Sequence, residues 1–118
     1  AYCIIDSKTY KPLEFAKEKN EVLEAKILKQ KFDLLVIEMI ASYGMPVGKE
    51  VFETCVWIGR FQEWALLNKK RVEYIYRKDE KMNICYSMKA KDANIRQALI
   101  DRFGEVGTKR NPRLVLWI

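Results

Sequence analysis

Lys31-Phe32-Asp33-Leu34-Leu35-Val36-Ile37-Glu38-Met39-Ile40 is the stretch on which the fold turns. The unbroken aliphatic run Leu34 to Ile37 fits a central strand covered on both faces. That strand delivers one carboxylate, Glu38, to its end, and the loop Ala41-Ser42-Tyr43-Gly44-Met45-Pro46-Val47-Gly48 follows. A Glu is rarely buried unless it is paired or bound to something. Open α/β sheets bind ligands at the carboxyl ends of their strands, so Glu38 is a candidate for a metal site or an active site.

Working outward, Ala1 to Asp6 reads as a strand, with Lys8 in the turn after it. Tyr10 to Phe15 is its expected hairpin partner, and Pro12 marks that partner as an edge strand or as irregular. Asn20 is a plausible N-cap, with Glu21 and Glu24 in the first turn of a helix through about Gln30. Val22, Leu23, Ala25, Ile27 and Leu28 give that helix an apolar face. Beyond the glycine–proline loop a long helix is expected from about Val47 to Asn68. Val51, Cys55, Ile58 and Ala65 share one stripe, and Phe52, Trp57, Phe61 and Trp64 widen the apolar surface. A helix apolar on more than one side packs against its own sheet and a second body. Aromatic enrichment points to a second subunit, with Val51, Cys55, Trp57, Ile58, Phe61 and Trp64 as interface candidates; a central core helix is the alternative.

Lys69-Lys70-Arg71 closes the long helix favourably for its dipole. Val72 to Tyr76 alternates as a strand, and Arg77 to Cys85 is a short helical candidate. Lys91 to Phe103 is an amphipathic helix, Ile95, Leu99 and Phe103 facing inward, ended by Gly104. The order β, β, α, β, long α, β, α predicts an α/β sandwich around a mixed sheet. One domain spanning 1–118 is expected, without a repeat or low-complexity linker.

Composition narrows the chemistry. No apolar run approaches the roughly 20 residues that span a bilayer, and no signal peptide is visible. The chain has three cysteines without metal-ligand spacing and no histidine. Zinc fingers, His general bases and Ser/Cys–His triads are thereby excluded, and three free thiols in an intracellular protein are expected. The net charge of +6 is uneven: residues 1–68 hold nine Lys/Arg against ten Asp/Glu (−1), and residues 69–118 hold thirteen against six (+7). A basic half beside a neutral half suggests a polyanion-binding surface, a solvated basic surface being the alternative.

Several segments, taken in order, carry a resemblance. They are Asp33 to Ile40, the loop Tyr43 to Gly48, and Val51-Phe-Glu-Thr-Cys-Val-Trp-Ile-Gly-Arg60-Phe. Arg77-Lys-Asp-Glu-Lys81 and Lys89-Ala-Lys91-Asp92 through Gly104 complete the set. Together they resemble phage-type RuvC-like Holliday junction resolvases over about residues 1–112. The resemblance implies an RNase H-like mixed sheet flanked by helices, a homodimer, and Mg²⁺-dependent cleavage of branched DNA. It also implies a phage or prophage gene product acting in the bacterial cytoplasm. Sites of that family hold acidic residues around two metal ions. Glu38 matches the acid that ends a strand, and Lys81 and Lys91 match two lysines near the site.

The chain departs from the family at both ends. Its first residues resemble the family's second strand, so the first strand and its Asp are missing, and Asp6 is no substitute. At the other end the family expects Asn-Pro-Gly-Trp-Phe-Tyr-Gly and a helix bearing two acids, where this chain has Asn111-Pro112-Arg113-Leu114-Val115-Leu116-Trp117-Ile118. If Arg113 to Trp117 are encoded NGG-TTG-GTT-TTA-TGG, a shifted frame reads Gly-Trp-Phe-Tyr and starts another Gly. A frameshift is therefore the expected origin of the tail, and the gene sequence decides it.

These departures set the functional expectation. Two-metal hydrolysis needs ions about 3.5–4 Å apart, and Glu38 alone touches one ion without fixing a pair. The expected reading is a resolvase-like endonuclease inactive in this truncated form. A non-catalytic nucleic-acid-binding or dimerisation module is the alternative. Lys81 and Lys91 are placed to contact phosphate or stabilise developing charge, with Arg77, Lys89 and Arg96 as generic phosphate contacts. Tyr43 and Trp57 are base-stacking candidates, core or interface packing being the competing use.

Overall fold

The computed structural model describes residues 1–26, 29–41 and 44–104, with Phe103 described in its backbone alone. The chain divides into two compact units, Asn20–Glu80 and the pair of segments Ala1–Lys19 and Lys81 onward. The architecture is α/β, as expected: strands β1 (Tyr2–Ile5) and β2 (Pro12–Ala16), helix α1 (Asn20–Lys26), strand β3 (Leu34–Met39), helix α2 (Lys49–Leu67), strand β4 (Arg71–Tyr76), and helices α3 (Arg77–Cys85) and α4 (Asp92–Phe103). One mixed sheet was the expectation; the strands instead form two two-stranded sheets, β1 with β2 and β3 with β4.

In the unit Asn20–Glu80, β3 and β4 pair in parallel, Leu34 opposite Arg71 and Glu38 opposite Ile75. Parallel neighbours need a crossover, which α2 supplies. Side chains alternate between the faces of a strand. Leu35, Ile37 and Met39 share the half-buried face with Val72 and Tyr76. α2 lies on that face, since the Tyr74 hydroxyl donates to Gln62 of α2. Ile58 and Ala65 of α2 are buried, and Trp64 stacks on Phe32 with ring centroids 6.1 Å apart. The opposite face carries exposed Val36, Glu38, Glu73 and Ile75. The covering of β3 on both faces is thus corrected. Its aliphatic run serves one helix, and Val36 remains 47% exposed.

The end of α2 explains the register of β4. Asn68 Nδ2 donates to the Trp64 carbonyl at 2.8 Å, and Lys69 adopts a left-handed φ of 58°. The Lys70 N–H then reaches back to the Ala65 carbonyl at 2.8 Å. This reversal turns the chain straight into Arg71, whose N–H donates to the Asp33 carbonyl at 3.2 Å.

In the other unit, β1 and β2 form the antiparallel hairpin the sequence predicts, with the register slipping between Ile4 and Ile5, opposite Pro12. Proline has no N–H for the ladder, so an irregularity there is the economical solution. Asp6 builds the turn: its Oδ1 accepts the N–H groups of Lys8 and Thr9, each at 2.9 Å. Those N–H groups, Thr9 first, hold the Asp6 carboxyl below its ordinary range. Later in this unit, α4 buries Ile95 and ends at Gly104, whose φ of 92° suits glycine and whose N–H bonds the Ile100 carbonyl. All three cysteines are free.

Candidate functional site

Glu38 lies near the carboxyl end of β3, where the sequence places it, but on the open face of the sheet. Its side chain is 56% exposed, so the buried carboxylate expected from the aliphatic run is corrected: residue parity puts Ile37 and Met39, not Glu38, under α2. The parallel register supplies its neighbour. Glu38 stands opposite Ile75, and two residues further on, Arg77 opens α3. Arg77 Nη1 comes to 3.8 Å from Glu38 Oε1 and to 2.9 Å from Glu80 Oε2 one helical turn along. Two carboxylates therefore converge on one guanidinium nitrogen. Glu80 was not singled out from the sequence; its signal is the i, i+3 spacing from Arg77, which puts both on one side of a helix.

The start of α3 is fixed locally. The Tyr76 N–H donates to Asp79 Oδ2 at 3.3 Å, satisfying a donor that the change from strand to helix leaves over. Lys78 lies over the Tyr76 ring, 6.0 Å from its centroid. Asp79 and Glu80 in the first turn also favour the helix dipole.

The remaining basic candidates belong to the other unit. Lys81 is half-buried on α3, and Lys89 and Lys91 are exposed. Lys91 is the residue before α4, and its N–H donates a hydrogen bond to Asn94 Oδ1 at 2.8 Å. Lysine has no acceptor to return, so only this half of a capping box forms. Lys89 lines a cleft of about 430 Å³ together with Cys85, Ser87, Asn94, Gln97 and Asp101. Arg96 is half-buried on α4. Of the predicted site residues, the structure joins Glu38 and Arg77 directly.

The donor set answers the metal question in part. Among the described residues no group of three or more His, Cys, Asp or Glu side chains is placed to hold a metal ion. Glu38 and Glu80 both already face a cation that belongs to the protein. The pair of Mg²⁺ ions that the resemblance implies does not fit these residues. The tail 105–118, Tyr43, and the side chain of Phe103 lie outside what the structure describes.

The candidate interface residues of α2 divide into two groups. Ile58 is 7% exposed and belongs to the core, which corrects its assignment to a subunit surface: it sits on the stripe that meets the sheet. Val51, Trp57, Phe61 and Trp64 are half-buried. Trp57 has two close partners, with Phe61 5.8 Å away and Arg60 4.2 Å above its ring. Arg60 in turn reaches Glu24 of α1 at 2.6 Å, so the Trp57 indole does not stand clear for a base. Cys55 is exposed, beside Phe52 (61%) and Val56 (64%). Phe52, Cys55 and Val56 follow helical spacing and form the open apolar stripe of the helix.

No helix of the described residues is long and apolar enough to cross a membrane. Comparison with protein-family models, with curated proteins and with solved structures found no match.

Proposed function

We propose that this chain is a branched-DNA-binding domain of the RuvC-like, RNase H-like resolvase type, which dimerises through the outer stripe of α2. In this reading the parent activity is Mg²⁺-dependent, structure-selective cleavage of DNA junctions, performed in the bacterial cytoplasm by a phage or prophage product. Glu38 is the acid inherited from that site, and this chain binds its substrate without cutting it. The carrying observation is the position of Glu38 at the carboxyl end of a parallel strand whose βαβ crossover is the long helix α2. Open α/β folds place ligands at that end.

Charge supports the DNA-binding half of the proposal. Residues 69–118 carry the whole net positive balance. Phosphate contacts from such residues supply affinity and make it salt-dependent. The exposed Phe52, Cys55 and Val56 support dimerisation, since apolar and aromatic residues are enriched in the core of subunit interfaces.

The absence of cutting by this chain has its own support in the pairing of Glu38 with Arg77 rather than with further carboxylates. Incubation of a synthetic four-way junction with the chain in Mg²⁺ tests it. Intact junction is expected; nicking that disappears in Glu38→Gln contradicts the proposal.

A further inference from the structure

The proposed reading of Glu38 as an inherited site acid would put a divalent cation beside it, whereas this structure places a guanidinium there. Arg77 is held from two directions. Glu80, with its side chain 18% exposed, fixes the guanidinium at 2.9 Å, and the parallel register aims it across the strand pair at Glu38, 3.8 Å away. Only Glu38 is well exposed to solvent in this trio, so a hydrated Mg²⁺ approaches from that side and meets a carboxylate already facing a positive charge.

We infer that Arg77 is the resident counter-cation of Glu38 and keeps divalent metal ions off it. The metal question in this chain is then one of competition. Mg²⁺ is bound through one or two carboxylates and retains most of its water, so Glu38 and Glu80 resemble such a ligand pair in number, with the guanidinium between them. A like charge within about 4 Å of an incoming cation repels it in a solvated setting, and more strongly where solvent is partly excluded. A divalent ion feels this twice over. Loss of the guanidinium is therefore expected to strengthen divalent binding by roughly tenfold or more. The inference deepens the reading of Glu38 as an inherited metal-facing acid and rests on it for its biological meaning. The competition itself is a property of the protein's own side chains and is read without DNA.

The experiment is a Mn²⁺ titration of the isotopically labelled chain, followed by paramagnetic broadening of the Glu38, Met39 and Tyr76 amide signals. The wild-type chain is expected to show no broadening localised at these amides. Arg77→Gln is expected to show it, at Mn²⁺ concentrations at least tenfold below any that affect the wild type. Arg77→Lys, which restores a positive charge, is expected to return the wild-type response, and Arg77→Gln with Glu38→Gln to lose the broadening again. Localised broadening in the wild type equal to that in Arg77→Gln overturns the inference, and so does an Arg77→Gln chain that remains unbroadened. If Arg77→Gln alone unfolds, the comparison of wild type with Arg77→Lys and Glu80→Gln decides: Glu80→Gln frees one anchor of the guanidinium, and a response unlike wild type in Arg77→Lys overturns it. Failure to bind junction DNA leaves this result untouched, so the two proposals fail separately.

Discussion

Two substitutions on α2, about two turns apart, should behave as if they belonged to different proteins. Ile58 faces β3 and β4 and is 7% exposed. Ile58→Ala removes roughly three buried carbons, worth about 2.4 kcal/mol at about 0.8 kcal/mol each. The cavity left behind brings the cost to about 3 kcal/mol, within the range of aliphatic-to-alanine changes in cores. Phe52, at 61% exposed, loses little packing in the monomer. Phe52→Glu should cost no more than about 0.5 kcal/mol, the usual bound for a surface change. It should instead abolish self-association, because a charge in the core of an apolar interface is left desolvated and unpaired. The assay pairs urea denaturation, followed by tryptophan fluorescence at a concentration where the chain is monomeric, with sedimentation at high concentration. A loss below about 1 kcal/mol in Ile58→Ala refutes the assignment of the inner face. A Phe52→Glu chain that unfolds as readily as Ile58→Ala, or a wild type that is monomeric throughout, refutes the assignment of the outer one.

Two further outcomes follow from single residues. Tyr2 donates to Glu14 Oε1 at 2.5 Å, and its pKa is pushed up to about 12, first by that hydrogen bond, then by burial and the charges of Glu14 and Glu18. A phenol raised above its unfolded value of about 10 contributes its full stabilisation below that pH and loses it between about pH 10 and 12. Tyr2 is partly solvated, so the contribution is about 1 kcal/mol or less. Tyr2→Phe should flatten the alkaline part of the stability curve, and an unchanged alkaline loss in Tyr2→Phe refutes the pairing. Lys89→Ala with Lys91→Ala should reduce the salt dependence of DNA binding by about two phosphate contacts, with the fold unaltered. An unchanged slope removes both residues from the DNA surface.

Much of the local structure was legible in the sequence because it depends on neighbours along the chain. The hairpin β1–β2, the helix α4 with its Gly104 stop, and the span of α2 all follow from alternation, caps and breakers. Pro12 even marks the place where the β1–β2 register slips. What alternation cannot reveal is which face of a strand is covered. Leu34, Leu35, Val36 and Ile37 look alike as aliphatics, yet Val36 faces outward with Glu38 because a single helix packs on this two-stranded sheet. Glu38 as the notable acid was readable from its place after that run. Its partner was not, since Arg77 lies nearly forty residues downstream and reaches Glu38 through the parallel pairing of Glu38 with Ile75. The same limit separates Ile58 from Cys55: both are apolar and helical, and only the position of the sheet decides which is core.

Competition binding tests the central claim most directly. Labelled four-way junction bound to the chain, at about 0.15 M salt where non-specific phosphate contacts are weakened, is challenged with unlabelled linear duplex of the same arm sequence. The account predicts that the junction stays bound when duplex is in large molar excess, and that unlabelled junction displaces it at near-equal concentration. Displacement by linear duplex at the same concentration as by junction contradicts it.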